Sequence, residues 1–145
     1  MLIDKSRIAQ LIPHAGAMCL LDGVLEWNDW SIRCVTISHL DTDNPLRTGN
    51  RLPVLCGIEY AAQAMAVHGG LGATAGQRPR AGYLASLRNV VCAVDRLDTL
   101  DGSLIVNAES LMGDDSRVIY LFELEHDGRT VLSGRAAVVL NVGSL

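Results

Sequence analysis

Glu59 is the residue whose setting most directly suggests chemistry, because it lies in a segment that is otherwise apolar. Residues 57–71 are apolar or small on almost every side, which is typical of a helix in a protein core. A carboxyl group there is tolerated only if it is paired, hydrogen-bonded or protonated. A protonated carboxylic acid donates a proton, so Glu59 is a candidate general acid. The alternative is a first-turn residue that interacts with the helix dipole.

Gln63 and His14 are the residues predicted to work with this acid. Gln63 lies one turn beyond Glu59, so we expect its amide to share the same helix face and orient the carboxyl group. His14 lies in an apolar segment between Pro13 and Gly16. Imidazole is the commonest general base near neutral pH, which makes His14 a candidate base. A buried, neutral His14 bonded to backbone is the alternative.

The other histidines are predicted to have structural or peripheral roles. His68 lies nine residues after Glu59, about 180° around the helix. It cannot share the face of Glu59, and a structural role at the helix end is expected. His126 flanks a predicted hairpin turn and is expected to be exposed. No histidine has the spacing of a metal ligand, so no metal site is predicted.

Composition narrows the possible classes of function. The 145 residues favour one domain over 1–145, and no apolar run is long enough to predict a membrane span. A net charge of −4 argues against nucleic acid as a partner. The N-terminus lacks the pattern of a secretory signal, and the four cysteines lie among apolar residues without paired spacing. We therefore expect a cytoplasmic protein with reduced core cysteines.

The residue pattern predicts an α+β protein in which an antiparallel sheet wraps around the long helix. A short helix capped by Asp4 is followed by two strands, a polar loop, the helix of residues 57–71 and then a meander. Asp127-Gly128 is a strong hairpin signal between the last two strands. The predicted strands span residues 20–27, 31–38, 80–95, 103–111, a run that alternates from Val118 to Leu124, and 130–142.

Two segments resemble the hot-dog-fold 3-hydroxyacyl-acyl-carrier-protein dehydratases, in particular the divergent branch of aryl polyene pathways. The family's Leu-Pro-His and the apolar run that ends in Asp are similar to residues 12–14 and 20–22. Its central helix motif is similar to residues 59–64, Glu-Tyr-Ala-Ala-Gln-Ala. The similarity covers about residues 5–142. It implies a hot-dog fold.

The chain departs from this family at one position. The best-known members carry a catalytic His in a loop before the helix, but no His lies between Leu40 and Gly57. His14 is the first candidate to replace it. His39, at the end of a predicted strand, is the second.

The resemblance implies dehydration of a 3-hydroxyacyl thioester without any cofactor. His14 would remove the α-proton while Glu59 protonates the departing hydroxyl group. Free backbone N–H groups near Gly57, at the helix start, would stabilise the thioester oxygen. Ala62 keeps the helix face small, so an acyl chain could lie along it beside Gln63.

The resemblance also implies protein partners. Acyl carriers present acidic surfaces, so a dehydratase of net negative charge needs a local basic patch. Arg78 and Arg80, on either side of Pro79, are predicted to bind the carrier, with Arg47 and Arg51 as the alternative pair. Hot-dog proteins form dimers with sites between subunits, so a homodimer or a heterodimer with a related subunit is expected.

Two other functions stay open at this point. A hot-dog thioesterase would use Glu59 to activate water or to attack the thioester carbonyl. A non-catalytic dehydratase-like subunit would bind acyl chains or stabilise a partner enzyme, and the missing loop His favours it.

Overall fold

A computed structural model describes residues 2–12, 16–72, 82–114 and 116–140. It contains two α-helices, α1 over Lys5–Leu11 and α2 over Gly57–Leu71. The Asp4 carboxylate caps α1, as predicted, by accepting a hydrogen bond of 3.1 Å from the N–H of Arg7. Short 3-10 turns precede the second strand, follow the third and lead into α2. The described helices include none that is both long and apolar enough to cross a membrane.

Seven antiparallel strands form the sheet, in the order β1-β2-β3-β5-β6-β7-β4. At the hairpin between β6 and β7, Asp127 and Gly128 both have positive φ, 50° and 77°, as the Asp-Gly signal predicted. β4 follows α2 in the chain but lies at the far edge, beside β7. The strands are Ile3–Asp4 (β1), Gly23–Asn28 (β2), Ser31–Thr36 (β3), Gly82–Cys92 (β4), Leu104–Gly113 (β5), Arg117–His126 (β6) and Arg129–Leu140 (β7).

The core lies between α2 and the inner face of the sheet. Gly57 allows the start of α2 to approach this face closely, because a Cβ atom there would lie 2.7 and 2.8 Å from Leu132 and Leu124. Buried side chains alternate with more exposed ones along β3 and along parts of β5 and β6, which is the period of a sheet with one buried face. The buried inner-face residues include Val106, Ala108, Tyr120, Phe122, Leu124, Leu132 and Ala136. The predicted sheet around a long helix is thus confirmed.

The second strand starts three residues later than predicted, at Gly23 instead of Leu20. The reason is that the backbone of Leu20 is already hydrogen-bonded to side chains. Its carbonyl accepts bonds from the hydroxyls of Thr36 and Ser38, at 2.6 and 2.7 Å. Its N–H donates to Gln63. A residue with both backbone groups occupied in this way cannot join a strand ladder.

β4 is a long edge strand that is exposed on both faces. Ten of its residues are exposed and one, Val90, is partly buried. Leu84 and Leu87 are exposed to 41% and 37% although they pair with the inward-facing Val138 and Ala136. Cys92, at the end of this strand, is exposed, so the prediction of four core cysteines is wrong for this residue. An apolar edge of this length, with no pairing strand among the described residues, is the kind of surface at which strands of two chains can pair.

Candidate active site

A strip of α2 remains partly exposed while most of the rest of the helix is buried. Glu59 lies at the start of this strip, followed by Ala62, Ala66 and Gly69. Spacings of three and four residues place all four on one side of the helix. Glu59 is therefore half-buried, not enclosed in the core as its sequence context suggested. The strip presents one carboxyl group next to a row of small residues.

Gln63 lies beside this strip but is fully buried. Its carbonyl oxygen accepts a hydrogen bond of 2.9 Å from the N–H of Leu20, and its amide nitrogen donates one of 2.6 Å to the carbonyl of Met18. Both ends of the side chain thus hold residues 18–20 against the helix. The predicted orientation of Glu59 by this amide is not what the structure contains.

Gly57 also differs from its expected role. Its N–H donates to the carbonyls of Val54 and Leu55 in the 3-10 turn that leads into α2. The N–H of Gly57 itself is therefore bonded within the chain, and the free donors expected near it stay a prediction. The structure assigns Gly57 to close packing between the helix start and the sheet.

The structure contains a buried hydrogen-bond network next to Glu59 that the sequence did not predict. The hydroxyl of Tyr60 lies 2.8 Å from the Ser38 hydroxyl and accepts a bond of 3.0 Å from the Asn44 amide. The Asn44 amide also donates to the Ser38 carbonyl. Burial raises the pKa of Tyr60, so this phenol stays neutral. The network fixes the loop after β3 to the helix turn that bears Glu59.

His39, the second candidate base, is fully buried in the 3-10 turn after β3. Its Nε2 lies 2.8 Å from the carbonyl oxygen of Leu100, so this nitrogen carries the proton and donates. Its Nδ1 has no hydrogen-bond partner among the described residues. Burial lowers the pKa of His39, which keeps the ring neutral. Nδ1 of the neutral ring therefore has a lone pair without a partner among the described residues, inside a fully buried side chain.

The remaining predicted site residues lie outside the described ranges. His14 is one of residues 13–15, and Arg78 and Arg80 are among residues 73–81. The pairing of His14 with Glu59 and the carrier-binding role of the two arginines therefore stay predictions.

The other two histidines have structural contacts. His68 is buried, with Nδ1 2.8 Å from the Tyr120 hydroxyl and Nε2 2.9 Å from the carbonyl of Asn28. This confirms the predicted structural role at the helix end. The ring of His126 lies against the carbonyl of Asp101, with Nε2 at 2.6 Å, and the residue is partly buried instead of exposed.

Comparisons with known proteins agree with this architecture. A family model described as ApeP-like, ApeP dehydratase, matches residues 6–142. No match was found among curated proteins.

Three solved structures share the fold. The dehydratase heterocomplex ApeI:P from Xenorhabdus doucetiae has a TM-score of 0.77 at 23% identity, covering 92% of this chain and 90% of that one. A mutant thioesterase PA1618 from Pseudomonas aeruginosa gives 0.67 at 12%, covering 97% and 95%. Thioesterase HI1161 from Haemophilus influenzae gives 0.61 at 10%, covering 84% and 80%. The predicted hot-dog fold is confirmed.

Proposed function

Because the chain belongs to the ApeP-like dehydratase family, we propose that it converts a 3-hydroxyacyl thioester into the trans-2-enoyl thioester and water. The family assignment supports a dehydratase role, and we propose a 3-hydroxyacyl thioester as the substrate. The observation that carries it is the position of Glu59, at the head of a partly exposed strip of small residues on an otherwise buried helix.

The proposed reaction uses one base and one acid. The base takes the proton from the carbon next to the thioester carbonyl, and the electrons of that C–H bond form the new double bond. The C–O bond to the hydroxyl breaks, and Glu59 supplies the proton that lets it leave as water. We keep His14 as the first candidate base and His39, with its unpartnered Nδ1, as the second.

The strip beyond Glu59 suits an acyl chain. Ala62 and Ala66 have small side chains that leave space at the helix surface. The neighbouring Gln63 is held in place because it is hydrogen-bonded to residues 18–20. Such a surface would bind an acyl chain by apolar contact. We propose fatty-acid-like or aryl polyene substrates.

We further propose that this chain pairs through the edge of β4 with a second hot-dog subunit. The inward-facing Leu84 and Leu87 of this strand are partly exposed, and a partner's core elements would cover them. The similar solved structure ApeI:P is described as a heterocomplex, which favours a related but different subunit as the partner.

Glu59→Gln tests the proposed chemistry. The substitution keeps the shape of the side chain but removes the transferable proton. We expect dehydration, followed by the absorbance of the enoyl thioester, to fall by at least ~10²-fold with an unchanged melting temperature. Unchanged activity with a lower melting temperature would make Glu59 structural.

The same assay separates the alternative functions. Release of free thiol without enoyl absorbance would identify a thioesterase. The absence of both products, from this chain alone and with its partner subunit, would support a non-catalytic subunit, which the missing loop His favours.

An acyl carrier protein is the proposed donor of the substrate, with Arg78 and Arg80 as its contact. Replacing both with Glu should weaken the use of a carrier-bound substrate, most strongly at low salt. A small soluble thioester should be used almost as before. Equal losses on both substrates, or none on either, would remove these arginines from the carrier site.

A further inference from the structure

Two arginines face each other across the outer side of β4 and β7. Arg88 is the Cα partner of Arg135 in the antiparallel ladder, and both are exposed. Arg117, on β6, lines the same outer-face cavity of about 260 Å³. None of these arginines takes part in an ion pair with an acid in the described part of the chain. Like charges directly opposite one another destabilise an antiparallel pair, so Arg88 and Arg135 repel each other across β4 and β7.

Arg88 also lies next to the midpoint of the free edge. β4 runs from Gly82 to Cys92, with Leu87 at its centre. Irregularities in its pairing with β7 lie on both sides of the stretch from Ser86 to Arg88. Antiparallel self-pairing about Leu87 would place Arg88 opposite Ser86 of the second copy. The two copies of Arg88 would then be diagonal neighbours, close enough for long side chains to interact.

Self-pairing would therefore concentrate positive charge. In such a dimer, Arg88 and Arg135 of both copies would lie close together on the outer face of the sheet. No acid on the strand could balance them, because Arg88 is the one charged residue of β4. The cavity beside the arginines has an apolar lining that includes Met112, Ile119 and Ala137. Because both arginines are exposed, water and salt screen this repulsion, so it is strongest at low salt.

We propose that Arg88 and Arg135 select the partner subunit: they disfavour a second copy of this chain and favour a subunit with acidic side chains on the outer face of its edge strand. This inference rests on the proposed pairing through β4. Repulsion against the wrong partner and attraction to the right one together produce such specificity. The arginines thus determine which subunit completes the dimer.

A mixture of two forms of this chain tests the proposal. Arg88→Glu/Arg135→Glu provides a subunit with acids at the required positions, and it should also repel itself. Mixed with the wild-type chain, it should form a mixed dimer on the order of tenfold more tightly than either form pairs with itself at low salt. The difference should shrink as salt rises. Analytical ultracentrifugation with one labelled form measures each association.

A matched control makes the same change in net charge at residues away from β4. Arg7→Glu/Arg129→Glu makes the same change in net charge at two exposed sites away from β4. It should show no preference for the wild-type chain. Circular dichroism of each variant confirms that it is folded. Wild-type self-association as tight as the mixed association at low salt would overturn the proposal and make a second copy the occupant.

Leu87→Asp separates this inference from the proposed pairing itself. Leu87 lies on the opposite side of the same strand from Arg88, so an acid there should abolish every dimer that uses this edge. Dimers that survive Leu87→Asp would disprove pairing through β4. Dimers that Leu87→Asp abolishes but that show no charge preference would overturn the role of the arginines alone.

Discussion

The two sides of α2 differ in the size, burial and hydrogen bonding of their side chains. On the buried side, Tyr60, Gln63 and His68 each have their side-chain polar groups hydrogen-bonded within the chain. On the partly exposed side, Glu59 is followed by residues too small to cover the helix. Polar groups on the first side hold distant segments together. The second side leaves room for something that does not belong to the subunit, which is what a substrate site requires.

Gln63→Leu, on the buried side of α2, should cause the largest loss in free energy of unfolding. It leaves the buried N–H of Leu20 and the partly buried carbonyl of Met18 without their partner. Two such groups cost about 2–4 kcal/mol in free energy of unfolding. Denaturation by urea measures this loss. Gln10→Leu is the control, because Gln10 is an exposed glutamine on α1, and it should change stability little. A similar small effect at both positions would contradict the role of Gln63.

The case of Gln63 also marks where prediction from the sequence ends. The bounds of α2, the Asp4 cap and the Asp127-Gly128 turn follow from local patterns, and the structure contains them. The partners of Gln63 lie 43 and 45 residues away in the chain, and no local pattern specifies them. The late start of β2 has the same origin.

The role of Gly57 shows a second limit. Its position at the start of a helix predicted free N–H groups. The preceding residues, however, form a 3-10 turn that runs directly into α2 and supplies acceptors. Tyr60 was overlooked because a tyrosine in an apolar helix resembles a core residue. Asn44, sixteen residues earlier in a polar loop, was the one available signal of its partner.

Tyr60→Phe should have a smaller effect than Gln63→Leu. Removing the hydroxyl takes one partner from Asn44 and one from Ser38, but each keeps another hydrogen bond. We expect a loss of about 1 kcal/mol in free energy of unfolding. Tyr83→Phe, on exposed β4, is the matched control and should be neutral. If dehydration fell while stability did not, Tyr60 would contribute to positioning Glu59 and not only to folding.

His39→Gln tests a smaller, pH-dependent contribution of the imidazole, which shows itself on acidification. Burial lowers the pKa of His39 in the folded chain below the ordinary value of 6.5. As the pH falls through that value, the unfolded chain takes up a proton that the folded chain does not. Unfolding is therefore favoured, and stability falls with pH until the lower pKa of the folded state is reached. Without the imidazole this part of the pH dependence should disappear.

The measurement for His39 is the free energy of unfolding between pH 7 and pH 5, compared among three proteins. The wild-type chain should lose stability over this interval more steeply than His39→Gln. Tyr60→Phe should keep the wild-type slope, because it removes no group that titrates there. Equal slopes in wild type and His39→Gln would mean that the ring takes up its proton without opposition from burial.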